Sequence, residues 1–293
     1  MILHNPEKTD TILHYSGIQI HSMSKSISEF NGIYELNKGG TKFLVSRDPY
    51  GRLLSGYLDK IYLMKFPLIA CEIAQMVQGK AALHANSNCI TDITFLEFLK
   101  YLIIRSKKKR SLNNHFEPIF AYCNPCSVLY DYILKVESLS TEAEHLLRMA
   151  NVEPSAMESI HNLLHDSIVE TRIQGTIPSA WKVGYLIYKC FSKIELAKRL
   201  WKAFQIQGYL RDSVDFREEL FPLNISAKDM GNIFVKEYLR QNVSKEERSH
   251  QKKRLMSDFY RSIDDITIHG IQELFRMDFL LFDYDIKPPI FEA

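Results

Sequence analysis

The segment Thr41–Met64, T-K-F-L-V-S-R-D-P-Y-G-R-L-L-S-G-Y-L-D-K-I-Y-L-M, decides the fold of this chain. The run Lys42–Ser46 is short, apolar and partly β-branched, which predicts a buried strand. Asp48 is a favourable helix N-cap, and Pro49 suits the first helical position, where its missing N–H costs no hydrogen bond. We therefore expect a strand, a tight turn and then a helix.

The predicted helix has an apolar face and a polar face. Apolar residues recur at helical spacing, whereas small and polar residues share another face: Tyr50, Leu53, Leu54, Tyr57, Ile61 and Met64 against Arg52, Ser55, Gly56 and Asp59. A helix that follows a strand at once points its N–H groups and positive dipole end beyond the strand, which predicts an anion site. Arg47 in the turn either offers a guanidinium fork to a phosphate or pairs with Asp48 or Asp59.

Composition indicates a globular protein with no general attraction to polyanions. The 293 residues are 46% hydrophobic, enough for one sizeable core or a core with a helical appendage. A net charge of +2 argues against charge-driven nucleic-acid binding, so an anionic ligand needs a local cluster. The basic run Lys107–Arg110 either contacts an acidic glycan or is a solvated loop. No segment reaches the roughly 20 apolar residues of a membrane span, and the polar start is not a signal peptide.

The cysteines and sequons bear on compartment. The five cysteines are Cys71, Cys89, Cys123, Cys126 and Cys190. Cys123-Asn124-Pro125-Cys126 resembles a redox or metal pair, but no second pair or His-x-x-x-His completes a zinc site, so we expect no metal. The sequons Asn224-Ile225-Ser226 and Asn242-Val243-Ser244 fit a secretory lumen, where disulfides also form.

The motif at the strand–helix junction is similar to a known nucleotide-binding motif. It reads Arg47-Asp48-Pro49-x-x-Arg52-Leu53-x-Ser55-x-Tyr57 and resembles the 3′-phosphate-binding motif of Golgi carbohydrate sulfotransferases, in particular the chondroitin/dermatan 4-O-sulfotransferase and HNK-1 sulfotransferase group. In that family the Arg and Ser hold the 3′-phosphate of the sulfate donor PAPS (3′-phosphoadenosine 5′-phosphosulfate). The resemblance implies that Arg47 and Ser55 bind PAPS, with Arg52 as a further donor contact.

Two later blocks resemble the same family, in the same order. The second contains His115-Phe116-Glu117-Pro118, Cys123-Asn124-Pro125-Cys126 and Tyr130-Asp131-Tyr132-Ile133-Leu134-Lys135-Val136-Glu137, similar to the family's H-W-x-P, C-x-P-C and Y-D-x-I-x-K-x-E. Phe116 stands at the usual Trp and keeps an aromatic wall. The third block, Asp278–Tyr284, resembles the family's D-F-x-x-F-x-Y ending. We expect Cys123 and Cys126 to form structural disulfides, and Glu273, Arg276 and Asp278 to be packing residues.

The resemblance implies an α/β, P-loop-like sulfotransferase fold, with a parallel sheet flanked by helices and ligands at the carboxyl ends of its strands. We expect one domain over residues 1–293 with a helical insertion at about 155–220, where the resemblance lapses. Within it, Trp181–Leu210 predicts one or two amphipathic helices that dock either on the core or on a membrane or partner. Residues 245–254 predict a charged, solvated segment.

Further elements follow from local patterns. Within residues 1–40, which are of mixed polarity, Thr11–Tyr15 and Gly17–His21 are predicted as short strands. Apolar periodicity predicts helices at Phe66–Ala82 and 93–102, the second capped by Thr91 or Asp92. Tyr132–Val136 is predicted as a central strand. Thr141-x-x-Glu144 predicts a capping box at the start of a helix. Asp258–Tyr260 is expected to begin a helix that runs to Asp278–Tyr284. Lys135 and Glu137 pair with each other or across the site.

The implied reaction is transfer of a sulfuryl group from PAPS to a sugar hydroxyl of a chondroitin- or dermatan-like glycosaminoglycan or a glycoprotein glycan. It needs a base near the acceptor oxygen, which contributes ~10²–10⁴-fold in such reactions. His21 stands about where related enzymes carry that base, and His115 is the second candidate; each is alternatively a surface, capping or loop-fixing histidine. Glu117 is a candidate contact for a sugar hydroxyl or a basic side chain.

The same resemblance implies a Golgi membrane protein facing the lumen, and leaves self-association into a homo-oligomer open. The family's N-terminal anchor and its Cys-Thr-x-x-Lys loop, whose Lys contacts the 5′-phosphosulfate, are not found in this sequence. The alternative function is therefore a non-catalytic paralogue that binds glycan or nucleotide, or that pairs with an active sulfotransferase. A P-loop kinase is disfavoured because no Gly-x-x-x-x-Gly-Lys-Ser/Thr is present.

Overall fold

The computed structural model describes residues 41–79, 90, 92–149, 152–165, 168–187 and 189–290. The chain divides into two compact units, one from the described parts of 1–48, 118–168 and 277–284, the other from those of 49–117, 169–276 and 285–293. His21 and the strands predicted over Thr11–Tyr15 and Gly17–His21 lie outside the described residues. The prediction of one domain over residues 1–293 stays a prediction.

The described chain is mostly helical, with one small parallel sheet. Its strands are β1 (Phe43–Ser46) and β2 (Tyr132–Lys135). The α-helices are α1 (Pro49–Gly56), α2 (Pro67–Val77), α3 (Phe95–Lys107), α4 (Ile119–Cys123), α5 (Leu139–Met149), α6 (Pro154–His165), α7 (Ile168–Ala180), α8 (Lys193–Ile206), α9 (Ala227–Gln241), α10 (Lys245–Arg261), α11 (Asp265–Leu274) and α12 (Arg276–Leu281). π-Helical segments at Tyr57–Tyr62 and Trp181–Ile187 and 3₁₀ turns at Val136–Ser138 and Glu218–Leu220 complete the described elements.

The two strands lie in the first unit and pair in parallel, with Leu44 opposite Ile133 and Val45 opposite Leu134. Parallel strands need a crossover connection, which residues 47–131 supply. Leu44 and Leu134 are buried, but Val45 is 38% and Ile133 45% exposed, because successive side chains point to opposite faces. The predicted strand is confirmed, yet it is buried on one face rather than throughout. Within the described residues β2 has only β1 beside it, so the prediction of a central strand is wrong there.

The buried face of the sheet belongs to a small apolar cluster. Leu44 packs there with Ile119 of α4 and Phe282. Asp278, only 1% exposed, accepts hydrogen bonds from the backbone N–H groups of Ile119 at 2.8 Å and Phe120 at 2.7 Å. These N–H groups open α4 and have no partner within the helix, so the carboxylate satisfies them. Asp278 is thus a packing residue, as predicted.

In the second unit, α1 and the π-helical segment after it form the centre of the core. The six predicted apolar positions are all buried: Tyr50, Leu53, Leu54, Tyr57, Ile61 and Met64. The Tyr50 hydroxyl donates to the carbonyl of Ile286 at 2.7 Å, and the Tyr260 hydroxyl donates to the carbonyl of Tyr50 at 2.8 Å. The sequence motif is therefore carried by a well-anchored helix, as its apolar spacing predicted.

The start of α3 differs from its prediction. The Thr94 hydroxyl accepts from the Glu97 N–H at 3.2 Å, and the Glu97 carboxylate accepts from the Thr94 N–H at 2.7 Å. This reciprocal pair is a capping box. Asp92 therefore does not cap this helix, and Thr91 lies outside the described residues. The helix predicted at Phe66–Ala82 is observed as α2, which ends earlier, at Val77; residues 80–82 lie outside the described residues.

The start of α5 also differs from its prediction. The helix begins at Leu139, so Thr141 lies within it and the predicted Thr141–Glu144 capping box is wrong. The Glu142 carboxylate accepts from the Lys135 N–H at 2.7 Å, just before the 3₁₀ turn, and from the Ser138 hydroxyl. Glu144 faces His161 at 2.7 Å.

The carboxyl-terminal part is divided among α10, α11 and α12, so the continuous helix predicted from Asp258 to Tyr284 is wrong. Asp264 has extended backbone angles, and its carboxylate accepts from the Thr267 N–H at 2.8 Å. A side chain that caps a new helix stops the preceding one from continuing. The charged segment predicted at 245–254 is the exposed first part of α10.

The predicted amphipathic run Trp181–Leu210 is confirmed as a π-helical segment followed by α8. Trp201 is 2% exposed, its indole N–H donates to the carbonyl of Val214 at 3.1 Å, and its ring centroid lies 6.1 Å from that of Phe234. The stripe of α8 therefore packs in the core of its own unit, while Leu186 and Ile187 are more than half exposed. That residues 155–220 form an insertion stays a prediction.

The cysteines do not follow the predicted arrangement. Cys123 and Cys126 are both thiols, because Cys123 packs at the apolar cluster whereas Cys126 is exposed after the left-handed turn at Asn124. The disulfides predicted for them are therefore wrong. Cys190 is disulfide-bonded. Across the described ranges, no helix is long and apolar enough to cross a bilayer.

Candidate functional site

The carboxyl ends of β1 and β2 carry a hydrogen-bonded network within the first unit. The Ser46 hydroxyl is fully buried, donates to the carbonyl of Leu134 at 3.2 Å and lies 3.2 Å from the Tyr284 hydroxyl. The Tyr284 hydroxyl donates to the Glu137 carboxylate at 3.0 Å, and the other oxygen of that carboxylate accepts from the Asp48 N–H at 3.1 Å. Residues from all three sequence blocks that resemble the sulfotransferases thus meet at the carboxyl ends of the two strands.

This network fixes the turn that carries Arg47. The residues on both sides of it, Ser46 and Asp48, are tied to the same Tyr284–Glu137 pair. Burial, with the Glu137 carboxylate nearby, raises the pKa of Tyr284, so its phenol stays protonated and remains a donor. A turn held on both sides loses little conformational entropy when its side chain binds a ligand.

Lys135 and Glu137 have separate partners, so the direct pair, one of the two alternatives predicted for them, is not observed. The Lys135 ammonium donates to the carbonyl of Asp283 at 2.9 Å and lies 4.8 Å from the centroid of the Tyr284 ring. Glu137 instead receives the phenol. At the carboxyl ends of the strands, the Lys135 ammonium therefore contacts the ring of Tyr284, and the Glu137 carboxylate accepts from the hydroxyl of the same residue.

In the second unit, the polar face of α1 holds the loop 113–117. The Arg52 guanidinium donates to the carbonyls of Glu117 and Asn114, the latter at 3.1 Å. A Cβ added at Gly56 would lie 3.0 Å from the ring of Phe116, so glycine permits this close approach. Phe116 is 1% exposed and packs 4.9 Å from the centroid of Phe98. The motif helix and this loop therefore form one packed assembly.

His115 lies in this loop with a defined ring position. Its ring nitrogen Nδ1 is 2.7 Å from the Asn113 side-chain oxygen, which also accepts the His115 backbone N–H at 3.1 Å. The imidazole meets the ring of Phe66 edge-on at 5.1 Å between centroids. His115 itself is exposed, so a substrate can reach it.

An open pocket of about 370 Å³ adjoins this histidine, in the size range of small-molecule sites. It is lined by Lys65, Phe66, Pro67, Leu68, Ile69, Asn113 and Val183. Phe66 and Asn113, the two residues that contact the His115 ring, are thus part of the pocket wall.

A charged cluster lies beside the pocket. The Asp59 carboxylate is 2.8 Å from the Lys60 ammonium and 2.5 Å from that of Lys65. Burial acts to raise the pKa of Asp59, but the two ammonium groups outweigh it and hold that pKa below the ordinary value. Burial also lowers the pKa of Lys65, against the opposing effect of Asp59. Two cations against one carboxylate give this cluster a net positive charge, and its Lys65 lines the pocket.

The structure thus brings Arg52, Ser55 and His115 into one unit, while Arg47 lies in the other. That these side chains bind the donor or act as a base stays a prediction, and so does the role of His21. Sequence reasoning missed Asn113, which precedes His115 by two residues, a spacing typical of Asx turns that could have identified it.

No group of three or more His, Cys, Asp or Glu among the described residues is arranged to hold a metal ion. The basic run 107–110 is exposed from Lys107 onward, and its predicted glycan contact stays open.

The profile of the sulfotransferase family matches residues 5–202, more than half of the chain. The chain belongs to the sulfotransferase family. Its described strand–turn–helix motif and the loop 113–117 both fall within the matched range.

Curated sulfotransferases with similar sequences agree with this assignment. Mouse carbohydrate sulfotransferase 14 is 32% identical over 138 residues, 41% of this chain and 35% of that protein. Rat carbohydrate sulfotransferase 11 is 27% identical over 135 residues, which cover 44% of this chain and 38% of that protein. Mouse carbohydrate sulfotransferase 12 is 30% identical over 121 residues, which cover 39% of this chain and 29% of that protein.

The chain thus spans about a third of the length of these curated relatives. No solved structure matches it. The structure of this family member is mostly helical, with one small parallel sheet among the described residues.

Proposed function

We propose that this chain catalyses PAPS-dependent O-sulfation of a sugar hydroxyl on a chondroitin- or dermatan-like chain or a glycoprotein glycan, in the Golgi lumen, with a P-loop-like sulfotransferase fold. The observation that carries this proposal is the strand–turn–helix at residues 43–56, whose sequence resembles a 3′-phosphate-binding motif. The names of its relatives, carbohydrate sulfotransferases 11, 12 and 14, support a carbohydrate acceptor.

The donor is held in this proposal by Arg47 and Ser55. A guanidinium offers a planar fork that matches phosphate oxygens, and a hydroxyl on a helix adds one further donor. The fixed turn at Ser46 and Asp48 supports this role for Arg47, since a ligand that binds there need not order it. Arg52 remains a candidate donor contact, although its guanidinium already donates to two loop carbonyls.

The base in this proposal is His115, with His21 as the alternative. The acceptor O–H gives its proton to the imidazole while its oxygen attacks sulfur, so an O–S bond forms. The bond between sulfur and the bridging phosphate oxygen breaks, and 3′,5′-ADP leaves with that electron pair. Cationic groups near the phosphates stabilise the charge that builds on the leaving group. The imidazolium then releases its proton to water.

Calorimetry with 3′,5′-ADP tests the donor site. We expect the chain to bind this nucleotide and Arg47→Ala to lose that binding, by at least about tenfold, since a charge-assisted contact contributes on the order of 1.5–3 kcal/mol. Arg148→Ala is the matched control, because Arg148 is an exposed arginine at the end of α5. Equal affinity of the wild type and Arg47→Ala would reject the assignment.

A transfer assay tests the reaction itself. With PAPS and desulfated chondroitin or dermatan, sulfate incorporation that depends on His115 supports the proposal. Nucleotide binding without any transfer to these acceptors would instead support the non-catalytic alternative, a paralogue that binds glycan or nucleotide.

A further inference from the structure

The contact between Asn113 and His115 identifies which ring nitrogen carries the proton. The Asn113 side-chain atom that faces Nδ1 at 2.7 Å also faces the His115 backbone N–H at 3.1 Å. A backbone N–H can only donate, so that atom is the amide oxygen and not the amide nitrogen. An amide oxygen can only accept, and Nδ1 must therefore be the donor.

We infer that Asn113 is a positioning residue that holds His115 in the Nδ1–H tautomer and thereby makes Nε2 the basic atom. A neutral imidazole carries one proton, so a proton on Nδ1 leaves the lone pair on Nε2. This inference rests on the proposed role of His115 as base. It adds the atom that takes the proton and the residue that decides it.

The loop around the histidine is rigid enough for this role. The Asn113 carbonyl accepts from the N–H groups of Phe116 at 2.7 Å and Glu117 at 3.0 Å. Arg52 holds two further carbonyls of the same loop, and the buried Phe116 anchors it in the core. Both the backbone and the side chain of Asn113 are therefore committed to this turn, which fixes the ring relative to the body of the unit.

The position of Asn113 also couples the base to the neighbouring pocket. Asn113 and Phe66 line the pocket of about 370 Å³ and both contact the imidazole. A sugar bound against this wall lies beside the ring that is to take its proton. Proton transfer requires the acceptor oxygen and the ring nitrogen to lie within hydrogen-bonding distance, about 2.6–3.2 Å. A ring that is already fixed loses less entropy in reaching that geometry.

Long-range ¹H–¹⁵N NMR of the imidazole nitrogens tests the inference without any activity. The pattern of cross peaks from the ring carbon-bound protons distinguishes the Nδ1–H from the Nε2–H tautomer at a pH where the ring is neutral. His115→Gln assigns the signals by their disappearance. We expect the Nδ1–H pattern in the wild type, its loss in Asn113→Ala, and its retention in Asn113→Asp, which keeps an acceptor oxygen in place.

A transfer assay of the same variants distinguishes the role of Asn113 in setting the tautomer from the role of His115 as base. We expect Asn113→Ala to lower kcat by about tenfold or more, within the ~10²–10⁴-fold that a general base contributes, with little change in KM. An Nε2–H pattern in the wild type, or an unchanged Nδ1–H pattern in Asn113→Ala, overturns the inference even if the chain is active. If His115→Gln transfers sulfate normally, the proposed base is wrong, and Asn113 sets a tautomer with no role in transfer.

Discussion

Replacing Arg52 with methionine should destabilise the chain and loosen the loop that carries His115, without abolishing nucleotide binding. The substitution removes two hydrogen bonds from a guanidinium to the carbonyls of Glu117 and Asn114, but keeps the aliphatic volume. Bonds that involve a charged group contribute roughly 1.5–3 kcal/mol each when buried. Because this guanidinium is half-buried and water can replace it, we expect a total loss of about 1–3 kcal/mol, or roughly 2–8 °C in Tm.

Thermal unfolding and calorimetry with 3′,5′-ADP together decide the role of Arg52. The prediction is a lower Tm, weaker protection of the loop amides in hydrogen exchange, and an affinity for the nucleotide within about threefold of the wild type. Arg52→Lys is the control, since it keeps the charge but loses the planar fork that reaches two carbonyls. If Arg52→Met leaves Tm unchanged and weakens nucleotide binding by tenfold or more, Arg52 binds the sulfate donor and does not stabilise the loop.

Two further predictions concern charge and modification. Asp59→Asn should lower the free energy of unfolding near neutral pH, and this loss should shrink as pH falls below about 4. The two ammonium groups hold the pKa of Asp59 low. Its carboxylate therefore stabilises the fold above the pKa of the unfolded chain and loses that effect as it is protonated. Urea unfolding at several pH values measures this, and a pH-independent difference would contradict it. Secretory expression should attach N-glycans at Asn224 and Asn242, whose side chains are exposed; a mass unchanged by glycosidase, or by Asn→Gln at both, refutes that.

Much of the motif region could be predicted from the sequence. Lys42–Ser46 predicts the strand and Pro49 the start of α1, because a local apolar run and a residue with fixed φ act within a few positions. The apolar spacing from Tyr50 to Met64 predicts which side chains are buried, and all are. Local patterns of this kind depend on neighbours in the chain and not on distant segments.

Element boundaries and partners were harder to predict where several polar residues compete. Thr94 and not Asp92 caps α3, because only Thr94 has a glutamate three positions later that can return the hydrogen bond. Glu137 receives the phenol of Tyr284, 147 residues away in sequence, rather than pairing with Lys135. Similarly, Asp264 interrupts a run that otherwise reads as one helix.

The candidate site shows the same division. Its residue types could be found by resemblance, since Arg47, Ser55 and His115 stand within recognisable motifs. The contact of Asn113 with the imidazole depends on how one short turn closes, and that of Arg52 depends on the packing of α1 against residues more than 60 positions later. No periodicity in the sequence reports such contacts.

The sequence by itself determined the strand–turn–helix at residues 43–56, the buried stripe that follows and the family to which the chain belongs. Each of these depends on local spacing or on a motif that is contiguous in the chain. Only the tertiary structure decided that the Glu137 carboxylate joins Tyr284 to the turn beside Arg47, and that Arg52 and Asn113 hold the loop of His115. Those contacts arise when distant segments pack and their polar groups must be satisfied, which is a property of the folded chain and not of any one segment.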